Sequence, residues 1–231
     1  IRASPAALRE MEYDGRLYSV ANLRIGVDGL FYNQDLFNEA GQASPNDSWT
    51  IEDMREAAIS LTRRGADGNV EQYGIEFHRF FIWPFIRMNG GRLLSEDGTY
   101  APFDDPAVYE ALQWLADIDL VHDAIAWNPY EHAGAFAEGV AGMHIMWVGG
   151  LIEQLRSNVT WNWDIAPIPG GKLGSIGTIK GNPVIIPASA QNKELAWEFM
   201  KFLGSEEAYY IYGSQGRFIP MHRSALSRVM T

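Results

Sequence analysis

Short β-type runs alternate with capped helical stretches along this chain, and that alternation restricts it to an α/β fold. Residues 17–20 and 30–32 read as short strands, and Tyr73-Gly74-Ile75-Glu76-Phe77 alternates with period two after the turn Asp67-Gly68-Asn69. Between them Thr50 stands as an N-cap with Asp53 three residues on, and Ile51, Met54, Ala58 and Leu61 share one face before Gly65 ends the run. That face is expected to pack on a sheet. Asp105 caps a second helix with Pro106 at its first position and a buried stripe of Val108, Leu112, Leu115 and Ile118.

The second half of the chain keeps the pattern. Residues 133–138 read as a short helix closed by Gly139, 143–148 as a buried strand, and 151–157 as a helix following Gly149-Gly150. A strand over 161–168 ends at Pro169-Gly170-Gly171, and 183–186 is β-like beyond the Gly-rich stretch from 170 to 181. Asn192 opens a helix with Leu195, Phe199 and Leu203 on one face. Ser205 opens another, with Glu206 and Glu207 where the helix dipole favours negative charge. No internal repeat or low-complexity tract interrupts this order.

Bulk properties remove several functions. A chain of 231 residues that is 47% hydrophobic holds one large domain or two small ones. A formal charge of -11, with only 18 scattered Lys and Arg, argues against nucleic acid as a partner. The lack of Cys removes disulfides, thiolate metal sites and thiol nucleophiles, and leaves the compartment open. No apolar run reaches the roughly 18 residues needed to span a bilayer, and no secretion leader opens the chain. Because the sequence starts at Ile1 and enters a helix-like piece over residues 5–11, a fragment of a longer precursor is expected.

Catalytic signatures are missing too: there is no GxSxG, P-loop, GxGxxG or HExxH. Asp119, three residues before His122, is a weak metal signal, so neither a metal nor a cofactor is expected. Asp104-Asp105 reads as a helix cap, Glu206-Glu207 as first-turn charge, and Asp117, Asp119 and Asp123 as helix-surface positions. A glycosidase needs two carboxylates across a cleft, which sequence spacing does not test, so a carbohydrate-active enzyme remains the alternative to a non-catalytic binder. A protein-interaction module without a small ligand is a third reading, using its aromatics as a protein-facing patch.

The feature that favours binding is Phe80-Phe81-Ile82-Trp83-Pro84, followed by the turn Asn89-Gly90-Gly91. A pyranose presents apolar C–H groups that stack on an indole or phenyl ring, while its rim hydroxyls need polar partners. The competing reading is plain packing, since aromatics at helical spacing also fill cores.

Further blocks carry a resemblance. Asp14-Gly15-Arg16-Leu17-Tyr18, the run from Gly29-Leu30-Phe31-Tyr32-Asn33 through Glu39-Ala40-Gly41, and Trp49-Thr50-Ile51-Glu52-Asp53 come first. Phe136-Ala137-Glu138-Gly139, Ile165-Ala166-Pro167-Ile168-Pro169, Asn192-Lys193-Glu194-Leu195-Ala196-Trp197 and Gly216-Arg217-Phe218-Ile219-Pro220 follow in order. Together they resemble family 1 extracellular solute-binding proteins, the sugar-binding subunits of ABC importers. The resemblance implies a periplasmic-binding-protein-like (type II) α/β fold of two lobes joined by hinge-crossing strands. It also implies a monomeric, non-catalytic periplasmic or extracellular protein that takes a mono- or oligosaccharide and delivers it to ABC transporter permease subunits. Contact with the membrane would come through the permease or through a lipid anchor that this chain lacks.

By the same resemblance, residues 1–29 are a hinge crossing with a remnant of the amino-terminal lobe, 30–181 the carboxy-terminal lobe, and 182–231 a return crossing with a strand and helices of the other lobe. Trp83 matches an aromatic that stacks on sugar in the family's maltose-binding member, with Phe80 on the neighbouring ring and His78 on a polar contact. Arg24 and Asn182 fall at the two crossings. Trp147 is a further candidate, although the family usually shows Gly four residues after the Met143 position and Trp six after, whereas Trp147 and Gly149 stand reversed here. Trp127 and Tyr130, in the loop before the Phe136 helix, are binding candidates or packing anchors. His78 could equally be a surface residue ending a strand, Arg24 a solvated charge or the partner of a nearby acid, and Asn182 a shaper of the turn before Pro183.

Overall fold

Where helix meets sheet is set by two glycines and a capping box. A computed structural model describes residues 9, 11–19, 22–128, 134–215, 220 and 222–230, with backbone alone at 22–25, 179 and 180. The expected helix over 5–11, the Gly216-Arg217-Phe218-Ile219-Pro220 block and Tyr130 fall wholly or mostly outside that set. The chain divides into two units: Ile1–Val27, Val148–Glu153 and Ile179–Thr231 in unit 1, and Asp28–Trp147 with Gln154–Thr178 in unit 2.

Unit 2 is built on a mixed sheet. Its strands are the Asp28–Asn33 part of β3 (Asn22–Asn33), β4 (Arg63–Arg64), β5 (Val70–His78), β6 (Ile125–Asn128), β7 (Ala141–Trp147) and β8 (Trp163–Ala166). The order is β4-β5-β7-β3-β8, with β6 also beside β5. β5 runs parallel to β6 and β7, whereas β7 and β8 are both antiparallel to β3. The carboxyl ends of β5, β6, β7 and β8 therefore share the edge at which Asp28 begins the unit-2 part of β3. β7 is buried from Ala141 to Met146, as a strand covered on both faces must be.

Helix α1 (Gln34–Glu39) follows β3 directly, because the Asn33 side chain accepts from the N–H groups of Asp35 and Leu36. α2 (Ile51–Leu61) starts at the expected capping box: Thr50 Oγ1 accepts the Asp53 N–H at 3.2 Å, and Asp53 accepts the Thr50 N–H at 2.7 Å. Thr50→Ala is expected to lower stability by about 1 kcal/mol, read as a shift in the denaturation midpoint. The helix stops at Leu61 and not at Gly65, since the Thr62 hydroxyl turns back to the Ala58 carbonyl at 2.8 Å and the next residues join β4. Met54, Ala57, Ala58 and Leu61 are buried, and α2 lies against Gly74 of β5 and Gly142 of β7. α3 (Ile82–Met88) packs Phe85 on Phe77 of β5 and on Trp114 of α4 (Pro106–Ala116). α4 has the expected Asp105 cap and Pro106 start, with Val108, Ala111 and Leu115 buried and Leu112 only half-buried.

Between residues 134 and 166 three expectations change. Residues 134–139 form consecutive turns and no helix, closed by Gly139 at φ +78°, a conformation that suits glycine. The helix after β7, α5 (Val148–Asn158), starts at Val148 and takes both glycines into its first turn. β8 is shorter than expected, four residues over Trp163–Ala166, because only these pair with β3 and a neighbour limits a ladder.

Unit 1 contains the hairpin β1 (Glu12–Tyr13) and β2 (Arg16–Leu17), turned by Asp14 and Gly15 at positive φ, and the Asn22–Val27 part of β3 paired with β9 (Ile179–Pro183). β9 thus precedes the expected 183–186 run, and it ends at a proline, which has no N–H for a further rung. α6 (Lys193–Leu203) has its Asn192 cap, but its expected buried face is corrected: Leu195 is 65% and Phe199 59% exposed. Of the expected face only Leu203 is buried, together with the neighbouring Met200, against Val184 and Ile186. α7 (Glu206–Ser214) is capped by Ser205, and α8 (Arg223–Val229) packs on it, with the Arg228 guanidinium 3.8 Å from the Tyr210 ring centre.

Candidate functional site

The carboxyl edge of the unit-2 sheet gathers rings. His78 is the last residue of β5 and Trp147 the last of β7, so the parallel pairing of these strands brings both to one edge. A short 3₁₀ turn, Arg79–Phe81, then carries two phenyl rings across that edge. The His78 and Phe80 rings lie 4.8 Å apart, Phe80 and Trp147 6.3 Å, and Phe81 and Trp147 5.3 Å. His78 Nδ1 accepts the Phe80 N–H at 3.2 Å, which fixes the turn to the strand end.

Burial separates these rings into anchors and presented surfaces. His78 and Phe81 are buried, Trp147 is half-buried, and Phe80 and Trp83 are 42% and 48% exposed. The alternative of His78 as a surface residue is thereby corrected: it closes a strand, but beneath its neighbours. Trp83 lies one turn beyond Phe80, in the first turn of α3. Trp127 does not lie in a loop. It belongs to β6, 45% exposed, and packs edge-on against Phe77 at 5.8 Å, while strand alternation sends Phe77 and His78 to opposite faces. Arg24 and Asn182 are in unit 1, on β3 and β9; the backbone of Arg24 is described, and Asn182 is half-buried.

Polar groups at this edge were not singled out in the sequence. Asp28 stands opposite Trp147 in the β3–β7 register, and its Oδ2 accepts from Thr178, from the N–H at 2.6 Å and from the hydroxyl at 2.5 Å. Burial raises its carboxyl above the ordinary range, and the two Thr178 bonds pull the other way. Oδ1 is buried with no hydrogen-bond partner among the described residues. A single acid inside the apolar strand around Leu30 and Phe31 was the available signal. Asn128 pairs with His78 across the β5–β6 ladder and donates from its amide to Glu76. Glu76 and His144 are both buried, an unusual pair for strand interiors.

His144 makes the site's surroundings sensitive to acid. Burial drives its imidazole below the ordinary 6.5, outweighing the pull of Glu76, whose carbonyl lies 3.0 Å from Nδ1. The neutral ring is favoured in the folded state, so its stability contribution is present above 6.5 and is lost as pH falls below it. The unfolding free energy is expected to drop with acidification by at most about 1.4 kcal/mol per pH unit from this group, and His144→Gln to flatten that profile.

A separate hollow of about 320 Å³ lies between α2, α3 and α4, lined by Thr50, Phe85, Asn89, Trp114 and the Glu110–Lys172 ion pair, and it holds none of the predicted ligand residues. No group of three or more metal-ligating side chains occurs among the described residues. Nor is any described helix long and apolar enough to cross a membrane.

A Brucella abortus binding protein is 25% identical over 91% of this chain and 52% of its own length. The arabinooligosaccharide-binding protein of Bacillus subtilis is 26% identical over 84% of this chain and 46% of its length. The chain thus spans about half the length of these curated relatives. An ABC substrate-binding protein from Listeria monocytogenes, solved in complex with cycloalternan, superposes with a TM-score of 0.86 at 22% identity, over 99% of this chain and 59% of that one. The fold is the type II periplasmic-binding-protein-like arrangement expected from the sequence. The sequence model of bacterial extracellular solute-binding proteins matches residues 6–210, nearly the whole chain, and the protein belongs to that family.

Proposed function

We propose that this protein captures a sugar or oligosaccharide outside the cytoplasmic membrane and delivers it unchanged to the permease of an ABC importer. The observation that carries this reading is the exposed Phe80 ring beside the His78–Trp147 cluster at the carboxyl edge of parallel strands, with exposed Trp83 three residues on at the start of α3. Two relatives support the ligand class: one is named for arabino-oligosaccharides and another was solved with cycloalternan. Phe80 and Trp83 form the stacking wall, with Trp147 behind them and His78 as a polar contact. Trp127, Tyr130, Arg24 and Asn182 are further contacts in this proposal, and residues 30–181 are the carboxy-terminal lobe.

The action is physical. Stacking and hydroxyl hydrogen bonds hold the ligand, and closure of the two lobes around it marks the loaded state for the permease. The protein works as a monomer and without a cofactor. Titration of the full-length protein with arabinotriose, mannotriose and maltotriose tests this: tryptophan fluorescence is expected to change, with the sugar recovered intact. Turnover of the sugar would make it an enzyme. No response to any of the three would point to an interaction module.

A further inference from the structure

Glu76 is buried two residues before the end of β5, and among the described residues three donors converge on its carboxylate. Oε1 accepts the Asn128 amide and the Gly134 N–H, the latter at 2.9 Å, while Oε2 accepts the Phe136 N–H at 2.6 Å. The three donors lie 52, 58 and 60 residues away along the chain. Two of them are main-chain groups in turns that have no strand neighbour to satisfy them. A carboxylate is costly to bury without hydrogen bonds, and here it takes the place of a missing ladder.

The arrangement reaches the candidate site through one residue. Asn128 ends β6 beside His78, whose ring belongs to the cluster with Phe80 and Trp147. A carboxylate only accepts, so the Asn128 NH₂ faces Glu76 and its carbonyl oxygen turns the other way. On the fixed side, Phe136 is itself buried against Phe31 and Trp161. The turn segment is thereby held to the core at one end and to the end of β6 at the other.

We propose that Glu76 is a positioning residue that ties the Asn128 end of β6 and the 134–136 turns together and so fixes the polar margin of the sugar site; this rests on the sugar-binding reading above. Gln at this position has one accepting oxygen and one NH₂ group, so it cannot take all three donors. Neutral isosteric replacement therefore tests the idea without removing volume.

In the full-length protein, Glu76→Gln is expected to speed exchange of the Gly134 and Phe136 amides by about tenfold or more. It is also expected to weaken affinity for the best-bound of arabinotriose, mannotriose and maltotriose by about tenfold or more. Met54→Ala, a buried change on α2 that destabilises without touching this network, should leave affinity within about twofold. Faster exchange with affinity unchanged in Glu76→Gln overturns the proposal, as does an equal loss of affinity in Met54→Ala. If Glu76→Gln does not fold, Asn128→Ala is the substitute: a similar affinity loss with amides 134 and 136 still protected supports positioning, and unchanged affinity overturns it. A wild-type protein that binds none of the three sugars sinks the sugar reading instead, and exchange then decides alone whether Glu76 holds the turns.

Discussion

Removing both exposed rings, in Phe80→Ala/Trp83→Ala, is expected to cost the full-length protein about 2 to 5 kcal/mol of sugar affinity, about thirtyfold at the low end. A stacked aromatic ring with its buried area is worth about 1 to 3 kcal/mol, the loss expected for Trp83→Ala alone. The two terms need not add, because neighbouring residues share ligand and solvent. Stability should change little, since both rings are among the exposed large side chains and neither is a core residue. Titration calorimetry with the best-bound trisaccharide reads the first effect and thermal unfolding the second. Affinity equal to wild type would remove this wall from the site.

Adding one methyl group at Gly74 is expected to be the most damaging small change in unit 2. A Cβ at this position would lie 1.8 Å from the Ala58 carbonyl oxygen, 2.3 Å from its carbon and 2.5 Å from its Cα. All three are backbone atoms, so no rotamer change relieves the contact, and α2 as a whole would have to lift from β5. Several bonds resist that movement. The Thr62 hydroxyl accepts the Gly74 N–H at 3.1 Å, and the Gln72 amide donates to the Leu61 carbonyl at 2.6 Å. At the far end, the Ile51 N–H is bound to Gly170 at 2.9 Å. Gly74→Ala should therefore lose about 4 kcal/mol or more, a large part of the stability of an ordinary domain. Urea unfolding measures it, and a midpoint near wild type would mean that α2 does not approach β5 this closely.

Local signals were legible where the chemistry is local. Thr50 with Asp53, Asp105 with Pro106, Asn192 and Ser205 each cap the helix they were expected to cap, because the bond runs within three residues. Burial was legible only as a stripe. In α6 the sequence offers a face of Leu195, Phe199 and Leu203, and contact with Val184 and Ile186 buries only Leu203 of it, with Met200 beside it. The 133–138 segment misled for a related reason. Its composition fits a helix, but the N–H groups of Gly134 and Phe136 are taken by Glu76, which sequence distance conceals.

The site divides the same way. Phe80 and Trp83 stood out as a compact aromatic motif, and exposure is a property the motif's neighbours allow. Asp28, Asn128 and Glu76 did not stand out, since each looks like an ordinary polar residue until its partner from a distant part of the chain is known. Trp127 reads as a loop residue in the sequence because β6 has four residues and owes its strand state to pairing with β5.

From the sequence by itself came the alternation that imposes an α/β fold, the helix starts, the aromatic motif and the ordered blocks that mark the family. All of these are written in bonds and periodicities spanning a few residues. Only the tertiary structure decided that His78, Phe80 and Trp147 meet, that Trp127 lies with Phe77, and that Glu76 gathers a distant turn. Those contacts follow from the placing of β5 between β6 and β7, a choice made by collective burial of both sheet faces, which no single stretch of chain encodes.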